Sequence, residues 1–199
     1  MVMFDEKAQL HTLEGVAAAT LILLVIIYAI DATSITPLTS STSNAHVESE
    51  LMTMGQDILN TLDYEEPGYN SQLKSDILNW TGSQYIWTGK DYKENDGTTT
   101  LNNTLNSNLT QNLKTTLISQ GIAHRVEVVY LWTTNNITIA SAPETMIDAG
   151  IPSDNAVGVS RKIVLQNTDN PLNNSKIQDI DTTSNLYNIV DIRLFIWRI

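Results

Sequence analysis

The sequence predicts an α+β fold, in which a long N-terminal helix, apolar and then amphipathic, packs on a C-terminal head built around an antiparallel β-sheet. Three observations carry that expectation. Residues 15–30 read GVAAATLILLVIIYAI, sixteen residues without a charge. Behind them Val47, Leu51, Met54, Ile58 and Leu62 recur at spacings of four, three, four and four, which places them on one helical stripe. Further on, long segments alternate apolar and polar residues with the period of two that marks strands.

At 1.5 Å per residue the uncharged run is about 24 Å long, against a hydrocarbon core of ~30 Å. Counting from Leu10 lengthens it to about 31 Å but takes in His11 and Glu14. An unpaired acid at the centre of a membrane helix costs ~2.5–3.5 kcal/mol, so Glu14 belongs near an interface or beside a cation. The stretch ahead, MVMFDEKAQLHTLE, carries one Lys against three acids, unlike the basic start of a cleaved secretory signal. The run gives way to Asp31-Ala32-Thr33 without a small-x-small cleavage site. Pro37 either kinks one continuous helix or marks a break, with Ser43 or Asn44 capping a fresh start. Glu65-Glu66-Pro67-Gly68 ends the helix, and the head is expected over 65–199.

In the head, SQLKSDILNW (71–80) suggests a short helix and QYIW (84–87) a short strand. KDYKENDGTTT (90–100) reads as a loop by composition. Leu101, Leu105, Leu109, Leu113 and Leu117 recur every fourth residue, a core-facing helical stripe that ends at Gly121. HRVEVVYLWTT (124–134) alternates, and Asn135-Asn136 is a two-residue hairpin turn into ITIASA (137–142). VGVSRKIVLQ (157–166) is a third strand of this group and LYNIVDIRLFIWRI (186–199) a fourth. The fourth has Val190, Ile192, Leu194 and Ile196 on one face, with Asp191, Arg193, Phe195 and Trp197 on the other. One aliphatic and one mixed side suit a sheet covered by a helix on one face.

The chain has 199 residues, 22 acids against 11 bases, a net charge of −11 and no cysteine. Without a basic stripe, nucleic acid is not an expected partner. Without thiols there is no disulfide framework, thiolate metal site or cysteine nucleophile. No GxSxG, HExxH, Walker A or GxGxxG motif occurs. His46 lies near Glu48 and Glu50 as a solvated helix face, and His124 opens a strand beside Arg125 as a surface residue. Asp148, Asp154 and Asp169 are expected in loops but lack the spacing of a calcium loop. These features predict no enzyme, metal or cofactor. Five N-x-[S/T] sequons, at Asn79, Asn102, Asn108, Asn136 and Asn173, are possible N-glycosylation sites if the head is exported. With 19 Asn, 15 Ser and 24 Thr, their number is what composition alone produces. Trp80, Trp87, Trp132 and Trp197 are candidate partner contacts, competing with a role in the core.

The greasy-then-amphipathic N-terminal helix, Lys7-Ala8-Gln9 just before it and the β-rich head resemble archaeal type IV pilin-like proteins. HTLEG (11–15), PSDNAV (152–157) and the ending YNIVDIRLFIWRI look like an uncharacterised haloarchaeal branch of them. The resemblance implies a pilin-like fold and cleavage by a prepilin peptidase between Ala8 and Gln9. It then divides the chain into a leader (1–8), a membrane and assembly helix (9–64) and an extracellular head (65–199). Glu14 would be the sixth residue of the mature chain, one later than the Glu of many type IV pilins. In an assembled filament it would pair with a neighbour's N-terminal ammonium, relieving the cost of an acid in lipid. Leu21, Ile22, Leu24, Val25 and Ile27 would line the assembly helix. The implied function is a structural subunit, major or minor, of a cell-surface filament, with other pilin subunits as partners and the membrane as its location before assembly. The alternative is a signal-anchored surface binding or adhesion module that does not polymerise.

Overall fold

The computed structural model describes residues 14–23, 25–26, 38–97, 100–135, 137–169 and 176–198. The chain divides into two compact units, Met1–His46 and Val47–Ile199. In the first, residues 14–23 and 25–26 are helical. Helix α1 (Leu38–Leu62) crosses the division, its residues from Val47 on belonging to the second unit.

Behind α1 come α2 (Gln72–Leu78), β1 (Gln84–Trp87), β2 (Tyr92–Asn95), β3 (Thr100–Thr104) and α3 (Asn108–Thr116). Then follow β4 (Ile122–Thr134), β5 (Ile137–Ala140), β6 (Glu144–Asp148), β7 (Val157–Gln166) and β8 (Leu186–Arg198). The eight strands form one sheet in the order β3-β2-β1-β6-β4-β8-β7, with β5 also paired to β4. β1 and β6 run parallel and the other pairs antiparallel, so the sheet is mixed.

This overturns the expected fold class. Among the described residues there is no long N-terminal helix, apolar then amphipathic, packed pilin-like on an antiparallel head: the molecule is sheet-rich, its sheet is mixed, and of its helices α1 has 25 residues while α2 and α3 have only 7 and 9. Among the described residues no helix is long and apolar enough to cross a membrane. The head carries more sheet than alternation reveals. Segment 90–100, expected as a loop, instead supplies β2 and the start of the edge strand β3, which pair with Gly97 between them in the left-handed region (φ +92°). Residues 101–104, expected to be helical, continue β3. The helix begins only at Asn108, where Ser107 and Thr110 close a capping box: the Thr110 N–H donates to Ser107 Oγ at 3.2 Å and the Ser107 N–H to Thr110 Oγ1 at 2.9 Å.

Helices cover one face of the sheet. Leu51, Ile58, Leu59 and Leu62 of α1, Leu73 and Ile77 of α2 and Leu109 and Leu113 of α3 join Val126, Val128, Val159, Val190, Ile192, Leu194 and Ile196 in one core. Gly55 lets α1 come close: a Cβ there would stand 2.8 Å from Val159 Cγ2 and 3.2 Å from Ile196 Cδ1. Two ion pairs set α1 across β7 and β8, Arg161–Asp63 at 2.6 Å and Arg198–Glu50 at 3.2 Å. With both arginines about half-exposed, they fix register more than they add stability. The opposite face is partly ionic. Burial pushes the Asp191 carboxyl up, but Lys162 and Arg193 at 3.1 and 3.0 Å outweigh it and hold it below the usual range.

The turn from β4 to β5 is the expected two-residue hairpin: Thr134 pairs with Ile137, and Asn135 adopts the left-handed conformation (φ +49°).

Candidate functional site

β4 pairs with β8 up to Tyr130, opposite Val190, and the side chain of Asn188 takes over at the next step. Fully buried, Asn188 accepts from the Leu131 N–H at 3.0 Å and donates to the Leu131 carbonyl at 2.8 Å, reproducing a ladder pair with an amide side chain. The same Nδ2 donates to the Gln178 carbonyl at 2.7 Å, while the Tyr187 hydroxyl donates to the Ile177 carbonyl at 2.8 Å. Segment 177–178 is thereby fastened to the end of β4. Three of the four hydrogen-bonding positions of Asn188 are filled, as a buried amide requires.

Between that segment, the end of β4 and the start of β6 lies a cleft of about 370 Å³ lined by Tyr130, Trp132, Ser141, Ala142, Glu144, Lys176 and Gln178. Trp132 is 43 % exposed and forms part of its wall. Across from it, Glu144 Oε1 accepts from the Tyr130 hydroxyl at 2.9 Å and Oε2 from Lys176 Nζ at 2.6 Å. The aliphatic stem of Lys176 runs over Gly82, where a Cβ would stand 2.6 Å from Cδ. Burial first, and then the neighbouring Glu144 carboxylate, push the Tyr130 phenol up to about 12. A phenol held protonated and donating to a carboxylate is no activated nucleophile. The cleft wall thus combines a part-exposed indole with hydrogen-bonding groups.

A second polar pair has no such opening. His124, expected at the surface, is instead fully buried, because Tyr92 of β2 folds over it: the Tyr92 hydroxyl and His124 Nε2 are 2.8 Å apart. Burial lowers the imidazole to about 4 and raises the phenol. Lys114 lies 5.6 Å from both the Trp87 and Tyr92 rings and pairs with Asp91 at 2.9 Å, closing the pair off from solvent. With no room for a substrate, this is a core polar pair.

A third feature is the shallow groove of about 670 Å³ between α1 and α3, with Met54 and Ile58 at its floor and Glu50 and Asp57 among its acidic residues.

Residues 7–196 match a protein family described as a family of unknown function (DUF7288). The chain belongs to this family. It is also similar to a protein of Archaeoglobus fulgidus described as an uncharacterized protein, 31 % identical over 194 residues that span 98 % of this chain and 94 % of that one. No solved structure matches the chain.

In this family member the sequence-predicted residues scatter. Lys7, Ala8, Gln9, Leu24 and Ile27 lie outside the described residues, as do Asn136 and Asn173. Glu14, Leu21, Ile22 and Val25 fall on the helical segment near the N-terminus, the three apolar ones exposed. Asn79, exposed at the C-cap of α2, donates from its amide to the Ser75 carbonyl at 2.8 Å. Asn102 is in β3, and Asn108 opens α3. Of the tryptophans, Trp80 and Trp197 are core and Trp87 meets Tyr92 at a tilt of 50° with ring centres 5.0 Å apart. Trp132 lines the cleft. Asp148, expected in a loop, is in β6 and pairs with Arg125 at 3.2 Å. Among the described residues no cluster of His, Asp and Glu is arranged to hold a metal ion. Glu144, Lys176 and Gln178 escape sequence reading because they converge from segments more than thirty residues apart.

Proposed function

We propose that this chain is a non-enzymatic structural subunit, major or minor, of an archaeal type IV pilus-like surface filament, joined to other subunits through its N-terminal apolar segment. The reading takes nothing from the fold of the head. One observation carries it: on the helical segment near the N-terminus the large apolar side chains stand in solvent, from 48 % exposed at Ile26 to 67 % at Val16, with Leu21, Ile22, Leu23 and Val25 between. Apolar surface of this extent, contiguous along one segment, is what an association surface presents. Lipid would cover the segment before assembly and neighbouring subunits afterwards, with a prepilin peptidase removing residues 1–8. The deciding experiment is the N-terminal sequence and intact mass of the protein from sheared surface material and from membranes. A chain starting at Gln9 in the sheared fraction is the expected result. A chain retaining Met1–Ala8 and confined to membranes overturns it.

A second reading, an anchored surface module that binds a ligand and does not polymerise, draws support from the Trp132 cleft. It is favoured if replacing Trp132 abolishes adhesion while assembly, where present, continues.

A further inference from the structure

We propose that the cleft beside Trp132 is a subsite for a neutral carbohydrate, a single pyranose ring or the end of a short oligosaccharide. The proposal deepens the second reading above and rests on it in one respect, that the cleft takes a ligand at all. Its volume of about 370 Å³ lies at the small end of ligand pockets (~300–1,000 Å³) and suits one or two rings.

The chemistry of the walls selects among ligand classes. A pyranose has a face of C–H groups, weakly positive, and a rim of hydroxyls that each donate and accept. An aromatic π-face is electron-rich and apolar, so Trp132 offers the stacking partner for the C–H face. The rim then meets three different groups. Glu144 accepts, Lys176 donates, and the Gln178 side chain, exposed and without a hydrogen-bond partner among the described residues, does both. Glu144 and Lys176 are paired at 2.6 Å, so the cleft carries no net charge. A charged ligand is attracted by one partner and repelled by the other, so the pair gives it no net pull. An apolar ligand desolvates the pair without replacing its contacts with water. A sugar hydroxyl inserts beside the pair, donating to the carboxylate and accepting from the ammonium.

Glu144 and Lys176 are also held in advance. The Tyr130 hydroxyl fixes one oxygen of Glu144 at 2.9 Å, and Lys176 is laid over Gly82. Asn188 ties the strand bearing Trp132 to the carbonyl of Gln178. Ordering costs on binding are correspondingly small.

The test is saturation-transfer NMR and tryptophan fluorescence on the full chain. The probes are glucose, galactose, mannose, maltose, cellobiose and lactose, with glucuronate, glucosamine and p-cresol as charged and aromatic comparisons. Millimolar binding of at least one neutral sugar through its C–H protons is expected. Trp132→Ala should weaken it about tenfold or more, Trp132→Phe should restore much of it, and the exposed Gln178→Ala should weaken it several-fold. Thermal melts of the variants must match the native chain, which Q178A, altering an exposed side chain, is placed to do. Neutral-sugar binding that survives W132A and Q178A overturns the proposal. If only a charged sugar or p-cresol binds, and W132A abolishes that, the carbohydrate class is wrong while the cleft remains a binding site. If no probe binds, both fall.

Discussion

Burying a protonated imidazole costs several kcal/mol more than burying a neutral one, and this makes His124 a pH-dependent stability term. In the unfolded chain a histidine titrates near 6.5, whereas burial holds the folded His124 at about 4. Between those values the unfolded state binds more protons, so stability rises with pH. The contribution is complete above pH 6.5 and is lost as pH falls toward 4, by up to about 3 kcal/mol. Urea midpoints between pH 7 and 5 should fall accordingly. His124→Gln keeps an acceptor for the Tyr92 hydroxyl but does not titrate, so its midpoints should be flatter across that window. An unchanged slope would assign the effect to other groups. Asn188→Ala is a test of satisfaction rather than of charge. It orphans the Leu131 N–H and carbonyl and the Gln178 carbonyl, and should cost about 3 kcal/mol. Because the same side chain aligns the cleft, it should also weaken any ligand bound there.

At the scale of the element, two substitutions separate packing from propensity. In an exposed helix interior Gly→Ala stabilises by about 1 kcal/mol, yet at Gly55 the added methyl meets the short, stiff Val159 side chain at 2.8 Å. Overpacking of about 1–3 kcal/mol should win, and Gly55→Ala should lower the melting temperature. A rise would mean that α1 can lift off β7 without cost. At the start of α3, buried Asp76 accepts from the Leu109 N–H at 2.7 Å and the Asn108 N–H at 3.4 Å. Burial raises its pKa despite those bonds. Asp76→Ala should cost about 1–3 kcal/mol, and Asp76→Asn, which keeps an acceptor and carries no charge to bury, distinctly less. The same elements show what was legible. β4, β7 and β8 announce themselves because each buries one face, and so do the α1 stripe and the Asn135-Asn136 turn. β2 and β3 are short and polar, β6 is short with only Met146 and Ile147 buried, and all three are defined by their partners. Leu101 and Leu105 continue the spacing of Leu109 and Leu113, but spacing does not show where a helix starts, and the Ser107–Thr110 cap decides it. The parallel pairing of β1 with β6 and the cover Tyr92 gives His124 are long-range facts without a local signature. The cleft was visible as one candidate tryptophan among four, its polar wall not at all.

For the whole molecule the governing balance is between an apolar segment and an acidic surface. Val16, Leu21, Ile22, Leu23, Val25 and Ile26 are exposed together, and each is worth ~1.5–3 kcal/mol when fully buried. Their gross gain on association, of order 10 kcal/mol, falls within the ~4–15 kcal/mol that joining two molecules costs in lost freedom, so one misplaced charge decides the outcome. Leu21→Lys or Ile22→Lys should therefore shift sedimentation of the full-length protein in mild detergent or at the surface toward the monomer. The melting temperature of the head, where those residues take no part in the core, should not change. The net charge of −11 opposes assembly at low ionic strength. Salt shrinks the screening length to ~3 Å at 1 M and strengthens apolar burial, so both terms move the same way. Native association should consequently tighten from 0.1 to 1 M salt. Association that weakens with salt would place the contact between charged surfaces. Association that survives both lysine variants would remove the N-terminal segment from the interface, and with it the filament reading.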